Sequence, residues 1–184
     1  SLHDALPILA VQAGANAITD AGLTPDRIDA VLVATCTMET TIPNCSARTA
    51  TRLGIDAPGA FDANAACAGF CYTLNTASEM VRGGTAEHVL VIGAEKFTDW
   101  IDWTDRTTCI IFGDGAGAAV VGPSDEPRIG PVAFGSAGEH ADKIYVSDRR
   151  SFIFQEGQAV FRWATTRIAP VALRAVKNAG LSLS

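Results

Sequence analysis

The chain has 184 residues, 48% of them apolar, and carries a net charge of −6. That composition supports a packed core, contains no run near the roughly 20 uninterrupted apolar residues of a membrane span, and argues against nucleic acid as a default partner. The five cysteines are odd in number and include no C-x-x-C pair, which fits reduced thiols in a cytoplasmic protein better than a disulfide framework or a metal site.

Residues 1–8 have neither a basic start nor a long apolar run, so no signal peptide is expected. They show no evident structural role and read as a non-native leader. A helix is predicted over 9–22, stopped by Gly22. Ala30–Ala34 is an apolar run of strand length. Asn44 is placed to cap a helix running to Leu53, which Gly54 ends. Pro58-Gly59 turns the chain into a short strand ending near Asn64.

Cys67 follows in the run Asp62-Ala63-Asn64-Ala65-Ala66-Cys67-Ala68-Gly69-Phe70. The helix after it is predicted to bury Phe70, Leu74, Ala77 and Val81 and to end at Gly83-Gly84. A sulfur at such a junction meets the unpaired N–H groups of a helix N-terminus, which favour the nucleophilic thiolate. The layout resembles a nucleophile elbow, with the Cys67 N–H placed to help bind an oxyanion. On residues alone, a buried structural thiol remains the other reading of Cys67. Cys36, Cys45, Cys71 and Cys109 read as small buried hydrophobes.

Val89–Gly93 reads as a buried strand, and strand–helix–strand order predicts parallel crossovers in an α/β sheet. Glu95 and Lys96 at its end read as an ion pair. Asp102-Trp103-Thr104-Asp105-Arg106-Thr107 is either a self-hydrogen-bonded turn or a place where Arg106 meets an anionic or planar ligand; spacing does not choose. Cys109–Phe112 and Ala118–Val121 read as two strands around a tight turn at Gly113-x-Gly115-x-Gly117. A dinucleotide loop is disfavoured there, because a strand rather than a helix follows. Weak strands are expected near 129–134 and 143–146. A helix is predicted over 158–178, burying Val160, Phe161, Ala164, Ile168, Val171 and Ala175, with Pro170 as a kink. His3, His88 and His140 read as surface or turn residues, not bases.

The Cys67 run resembles the nucleophile segment of the β-ketoacyl-acyl carrier protein synthase III family. Asp102–Thr108 with Phe112–Ala118 is similar to that family's second signature, and Val91–Glu95 and Gly157–Phe161 also fit. The resemblance covers about residues 9–181. It implies an α/β, thiolase-like fold, with a first half over 9–124 and a connecting segment plus the start of a second half over 125–184. It implies a homodimeric acyltransferase with no permanently bound cofactor. An acyl group from acyl-coenzyme A passes to the cysteine, and malonyl-acyl carrier protein is then condensed with loss of carbon dioxide, starting type II fatty acid synthesis. Cys67 matches the nucleophile, Arg106 and Thr107 the coenzyme A contacts, and Phe112, Gly157 and Phe161 the substrate tunnel and pocket. Arg162 matches a carrier-protein docking position. Ile42 stands where the family often has phenylalanine, at the acyl-pocket wall. The family's first strand would precede residue 9, and its catalytic histidine and asparagine would follow residue 184. The stretch alone is therefore expected not to condense and, when folded, to be acylated at Cys67 only slowly. Polyketide-starter or hydroxymethylglutaryl-coenzyme A synthase-like chemistry is the nearest alternative. A non-catalytic piece that only dimerises or aggregates is the alternative of another class.

Overall fold

The computed structural model describes residues 5–182. The described residues form two compact units, one within residues 1–97 with 113–125 and the other within 98–112 with 126–184.

In the first unit a four-stranded sheet runs in the order β2-β1-β3-β4, with β1 (Ala30–Ala34), β2 (Gly59–Ala63), β3 (Val89–Lys96) and β4 (Asp114–Val121). The first three strands are parallel, as strand–helix–strand order predicts, and β4 closes one edge antiparallel to β3. Every residue of β1 is buried, because helices cover both faces of the sheet. On one face Val31, Val33, Leu90 and Ile92 pack with Leu6, Ala10, Ala17 and Ile18 of α1 (Ala5–Asp20) and with Cys45 and Ala50 of α2 (Cys45–Leu53). Gly14 lets α1 approach closely: a Cβ there would lie 3.0 Å from Leu53 and 3.2 Å from Leu90. The other face carries α3 (Gly69–Arg82).

Local chemistry sets α2 as the sequence predicts. The Asn44 side chain accepts from the Ala47 N–H, and Gly54 closes the helix at φ 73°. Asp62 of β2 adds a long-range cap, accepting from the Cys45 and Ser46 N–H groups at 2.7 and 2.8 Å. A carboxylate there satisfies orphan donors and complements the helix dipole, and it ties the strand before Cys67 to α2.

Several expectations are corrected. Helix α1 begins at Ala5, and Leu6 is fully buried, so residues 5–8 have a structural role; residues 1–4, including His3, lie outside the described residues. Helix α3 buries Gly69, Thr73, Ala77 and Ser78, while Phe70, Leu74 and Val81 stay half-buried. Small residues face the sheet because the helix sits close to it: a Cβ on Gly69 would lie 3.1 Å from the Cβ of Ala34. Residues 109–111 are turns and 112 is irregular, and Gly115 and Gly117 lie inside β4 in extended pairing with β3, so these two glycines make no tight turn. Cys45 alone of the four cysteines read as structural is fully buried; Cys36 and Cys109 are half-buried and Cys71 is exposed.

In the second unit β5 (Ile144–Tyr145) and β6 (Phe154–Gln155) form a short antiparallel ribbon, with the Tyr145 and Phe154 rings 5.1 Å apart. No strand forms over 129–134. Helix α4 (Gly157–Asn178) continues through Pro170. Its predicted inner face is only half covered at Val160, Ala164, Val171 and Ala175, and Phe161 and Ile168 are exposed. Within this unit the neighbouring loop meets α4 through Arg174, whose guanidinium donates to the Phe134 carbonyl, and passes close to Val171 at Gly135.

Candidate active site

Strands β1 and β2 end together, while β3 runs three residues further, and the chain after β2 forms the turn that carries Cys67. Asn64 Oδ1 accepts from the Ala66 N–H at 3.2 Å. A single 3-10 turn, Ala66–Ala68, then runs directly into α3. Ala66 adopts φ 46°, a left-handed conformation that costs a non-glycine residue roughly 1–2 kcal/mol. Strain of this kind persists where the surrounding fold over-determines it, and it clusters at functional sites. Here the Asn64 bond on one side and the buried Gly69–Ala34 contact on the other fix the turn.

The result is a thiol presented outward: Cys67 is exposed, at the strand-to-helix junction the sequence predicts. The Ala66 N–H is spent on Asn64 and the Ala68 N–H on the Ala65 carbonyl at 3.1 Å. The Cys67 N–H between them has no hydrogen-bond partner among the described residues. An unspent donor beside an exposed sulfur suits acyl chemistry, where a carbonyl oxygen gains charge as the sulfur attacks.

Beside this turn runs the loop after β1. The Thr35 N–H donates to Ala63 O at 3.1 Å, extending the β1–β2 pairing one residue. Cys36, next in line, has its thiol pushed up to about 12, first by burial, then by the negative charge and hydrogen bond of Glu95, and then by the charge of a Cys67 thiolate. It is therefore held as a neutral thiol at ordinary pH. Glu95, read from sequence as half of an ion pair, instead shows a set of hydrogen bonds to this loop. Sequence reasoning missed that role because the partners lie 58 to 60 positions away.

Ile42 lies on the loop before α2, 83% exposed, with a cis bond to Pro43. Of the described histidines in the first unit, His88 precedes β3 and so stands at the end of the sheet opposite Cys67. A depression of about 490 Å³ between α2 and the loop to β2, lined by Ala47, Thr51, Ile55 and Pro58 among others, contains none of the candidate residues.

The other candidates belong to the second unit. Arg106 sits on a turn built by two aspartates. Asp102 accepts from the Thr104 N–H and hydroxyl at 2.9 and 2.7 Å, and Asp105 from those of Thr107 at 2.9 and 2.6 Å and from the Thr108 hydroxyl at 2.8 Å. Both readings of this segment are thus physically compatible: a self-bonded turn that leaves the Arg106 guanidinium exposed and without a partner among the described residues. Phe112 is half-buried, and Gly157 and Phe161 lie four apart in the first turns of α4, with Phe161 71% exposed and Arg162 beside it.

The threonine hydroxyls hold both aspartates below the usual carboxylate range, with the backbone N–H groups adding to the effect. A depressed carboxylate contributes stability that is present above its unfolded value, near 3.8, and is lost as pH falls through the lower folded value. The 102–108 turn is therefore expected to stay ordered as pH drops past 3.8 and to loosen only below it. Amide chemical shifts of Thr104 and Thr107 against pH check this; loss of the turn above 3.8 contradicts it.

Comparison with known proteins agrees with this picture. Residues 61–138 match the family model for 3-oxoacyl-[acyl-carrier-protein (ACP)] synthase III. The chain is 49% identical to β-ketoacyl-[acyl-carrier-protein] synthase III 4 of Streptomyces coelicolor over 176 residues, covering 94% of this chain and 56% of that protein. It is 50% identical to β-ketoacyl-[acyl-carrier-protein] synthase III 2 of Streptomyces avermitilis, covering 95% and 56%. The crystal structure of the priming β-ketosynthase from the R1128 polyketide biosynthetic pathway superposes with a TM-score of 0.93 at 41% identity, covering 97% of this chain and 57% of that one. The chain thus spans about half the length of the relatives it matches. In sequence and in its thiolase-like fold this stretch of chain is therefore similar to 3-oxoacyl-[acyl-carrier-protein] synthase III proteins.

Proposed function

We propose that the chain bears the nucleophile of a decarboxylative condensing enzyme. The Cys67 sulfur attacks the thioester carbonyl of an acyl-coenzyme A, the carbon–sulfur bond to coenzyme A breaks, and the acyl group stays on Cys67 as a thioester. Malonyl-acyl carrier protein then loses carbon dioxide, and its carbanion attacks that thioester. This gives a β-ketoacyl product and frees the Cys67 thiolate. The observation that supports this most is the exposed Cys67 on a strained turn, with its own N–H unspent. The chemistry needs no resident cofactor. The acid–base steps of decarboxylation and condensation are assigned to groups outside the described residues, so acyl uptake is the half-reaction proposed for this stretch alone.

In the same reading Arg106 stacks on or pairs with the coenzyme A nucleotide, with Thr107 beside it, and Phe112, Gly157 and Phe161 line the path of the acyl-bearing arm. Arg162 supplies positive charge for an acidic carrier protein. Initiation of fatty acid synthesis by a cytoplasmic homodimer is the pathway role proposed. The R1128 priming β-ketosynthase likeness supports a second role, choice of a polyketide starter unit. Ile42, in place of the family's frequent phenylalanine, fits a pocket open to longer or branched acyl groups.

Arg106→Ala is the test of the coenzyme assignment. Loss of a planar, charged contact of this kind is expected to raise the acetyl-coenzyme A concentration for half-maximal loading of Cys67 by about tenfold, roughly 1.4 kcal/mol. Loading from a small thioester without the nucleotide is expected to be unchanged. An equal effect on both donors refutes a nucleotide contact.

A further inference from the structure

Glu95, the seventh residue of β3, is an acid whose hydrogen bonds the acyl-transfer scheme does not use. In β3 it shares the face of Gly93, where a Cβ would lie 3.3 Å from Phe70 of α3. It therefore lies on the side of the sheet that carries the nucleophile helix. One carboxylate oxygen accepts from the Cys36 N–H at 2.9 Å. The other accepts from the Thr37 N–H at 3.1 Å, the Thr35 hydroxyl at 3.2 Å and the Thr37 hydroxyl. Thr37 Oγ1 in turn accepts from the Lys96 N–H at 2.8 Å. One half-buried carboxylate thus gathers the donors of three consecutive residues.

The gathered loop is the one that grips the Cys67 turn. Thr35 holds Ala63, four residues before Cys67, and Ala34 packs against Gly69, two residues after it. We infer that Glu95 is a positioning residue for Cys67, clamping the loop at the end of β1 so that the nucleophile turn keeps the geometry acyl transfer needs. Acyl transfer depends on that geometry because the Cys67 N–H must meet a developing oxyanion. Alkylation by a small halide reagent forms no oxyanion and needs only an exposed sulfur. The inference rests on the reading of Cys67 as an acyl acceptor and adds to it a residue that never touches substrate.

Glu95→Gln keeps the shape but turns one acceptor oxygen into a donor, so either the Cys36 N–H or the Thr37 donors lose their partner. Thr37→Val is a second variant that removes one hydroxyl donor from the same oxygen, together with the acceptor of the Lys96 N–H. Both are compared with the unaltered chain in two reactions mapped to Cys67 by mass spectrometry: acetylation by phenyl thioacetate and alkylation by iodoacetamide. Acetylation is expected to slow by about tenfold in Glu95→Gln and less in Thr37→Val, with alkylation within about twofold. If acetylation is unchanged in both variants, or if both reactions fall together, Glu95 does not position the nucleophile. Should Glu95→Gln fail to fold, Thr37→Val decides by the same selective slowing. An unaltered chain that takes acetyl from phenyl thioacetate but not from acetyl-coenzyme A sinks the coenzyme reading and leaves this inference standing.

Discussion

Cys67→Ser is expected to slow acyl loading from acetyl-coenzyme A by at least about 10³, because a neutral hydroxyl with no adjacent base is a far poorer nucleophile than a thiolate. The fold should not notice. Cys67 is exposed, and surface exchanges of this size usually move stability by no more than about 0.5 kcal/mol. Intact-mass time courses and thermal unfolding measure the two effects side by side. A serine variant that loads at the original rate places the chemistry on another residue.

Gly69→Val is the second large effect, and it acts on fold and nucleophile together. Gly69 is buried where α3 begins, and a Cβ there would lie 3.1 Å from the Ala34 Cβ and 3.9 Å from the Ala63 carbonyl. Ala34 belongs to a strand paired on both sides, so it has no side-chain freedom with which to retreat. The helix start must move instead. Overpacking of this kind costs about 1–3 kcal/mol. The displaced turn carries Cys67, and a shift of about 1 Å in a reacting group is enough to lower a rate about 10²-fold. Denaturant unfolding should show the lost stability, and acetylation of the still-folded fraction should show the slower chemistry. A valine variant as stable and as reactive as the unaltered chain means the Gly69–Ala34 contact does not set the turn.

These two residues also show what the sequence made legible. The position of Cys67 followed from local signals: small residues before it, a helical pattern after it, and turn-formers around it. The ends of α2 were equally local, since Asn44 caps and Gly54 stops the helix within a few residues of each other. The buried face of α3 was legible only in part. Hydrophobicity pointed to Phe70, Leu74, Ala77 and Val81; Ala77 is buried as expected, but the close approach to β1 at Gly69 selects Gly69, Thr73 and Ser78 in place of the larger residues. Close approach is a tertiary property that no periodicity encodes.

The same distinction explains β4. Glycines in a row signal a turn when read locally, yet here Gly93 pairs with Gly117 and Glu95 with Gly115 in a regular antiparallel ladder. Pairing with a distant strand overrides the local preference. Glu95 repeats the lesson at the site: its loop partners lie 58 to 60 residues away, so its role shows only in three dimensions. Helix α4 gives the converse case. Its amphipathic pattern correctly predicts a helix, but the second unit covers only part of the apolar face and leaves Phe161 and Ile168 exposed.

The most direct test of the account is peptide mapping of the chain after incubation with acetyl-coenzyme A. The account predicts one acetyl group, on Cys67, in a linkage that neutral hydroxylamine cleaves as it does a thioester. A folded chain that takes up no acetyl group, or takes it equally on Cys36, Cys71 or lysine, contradicts it.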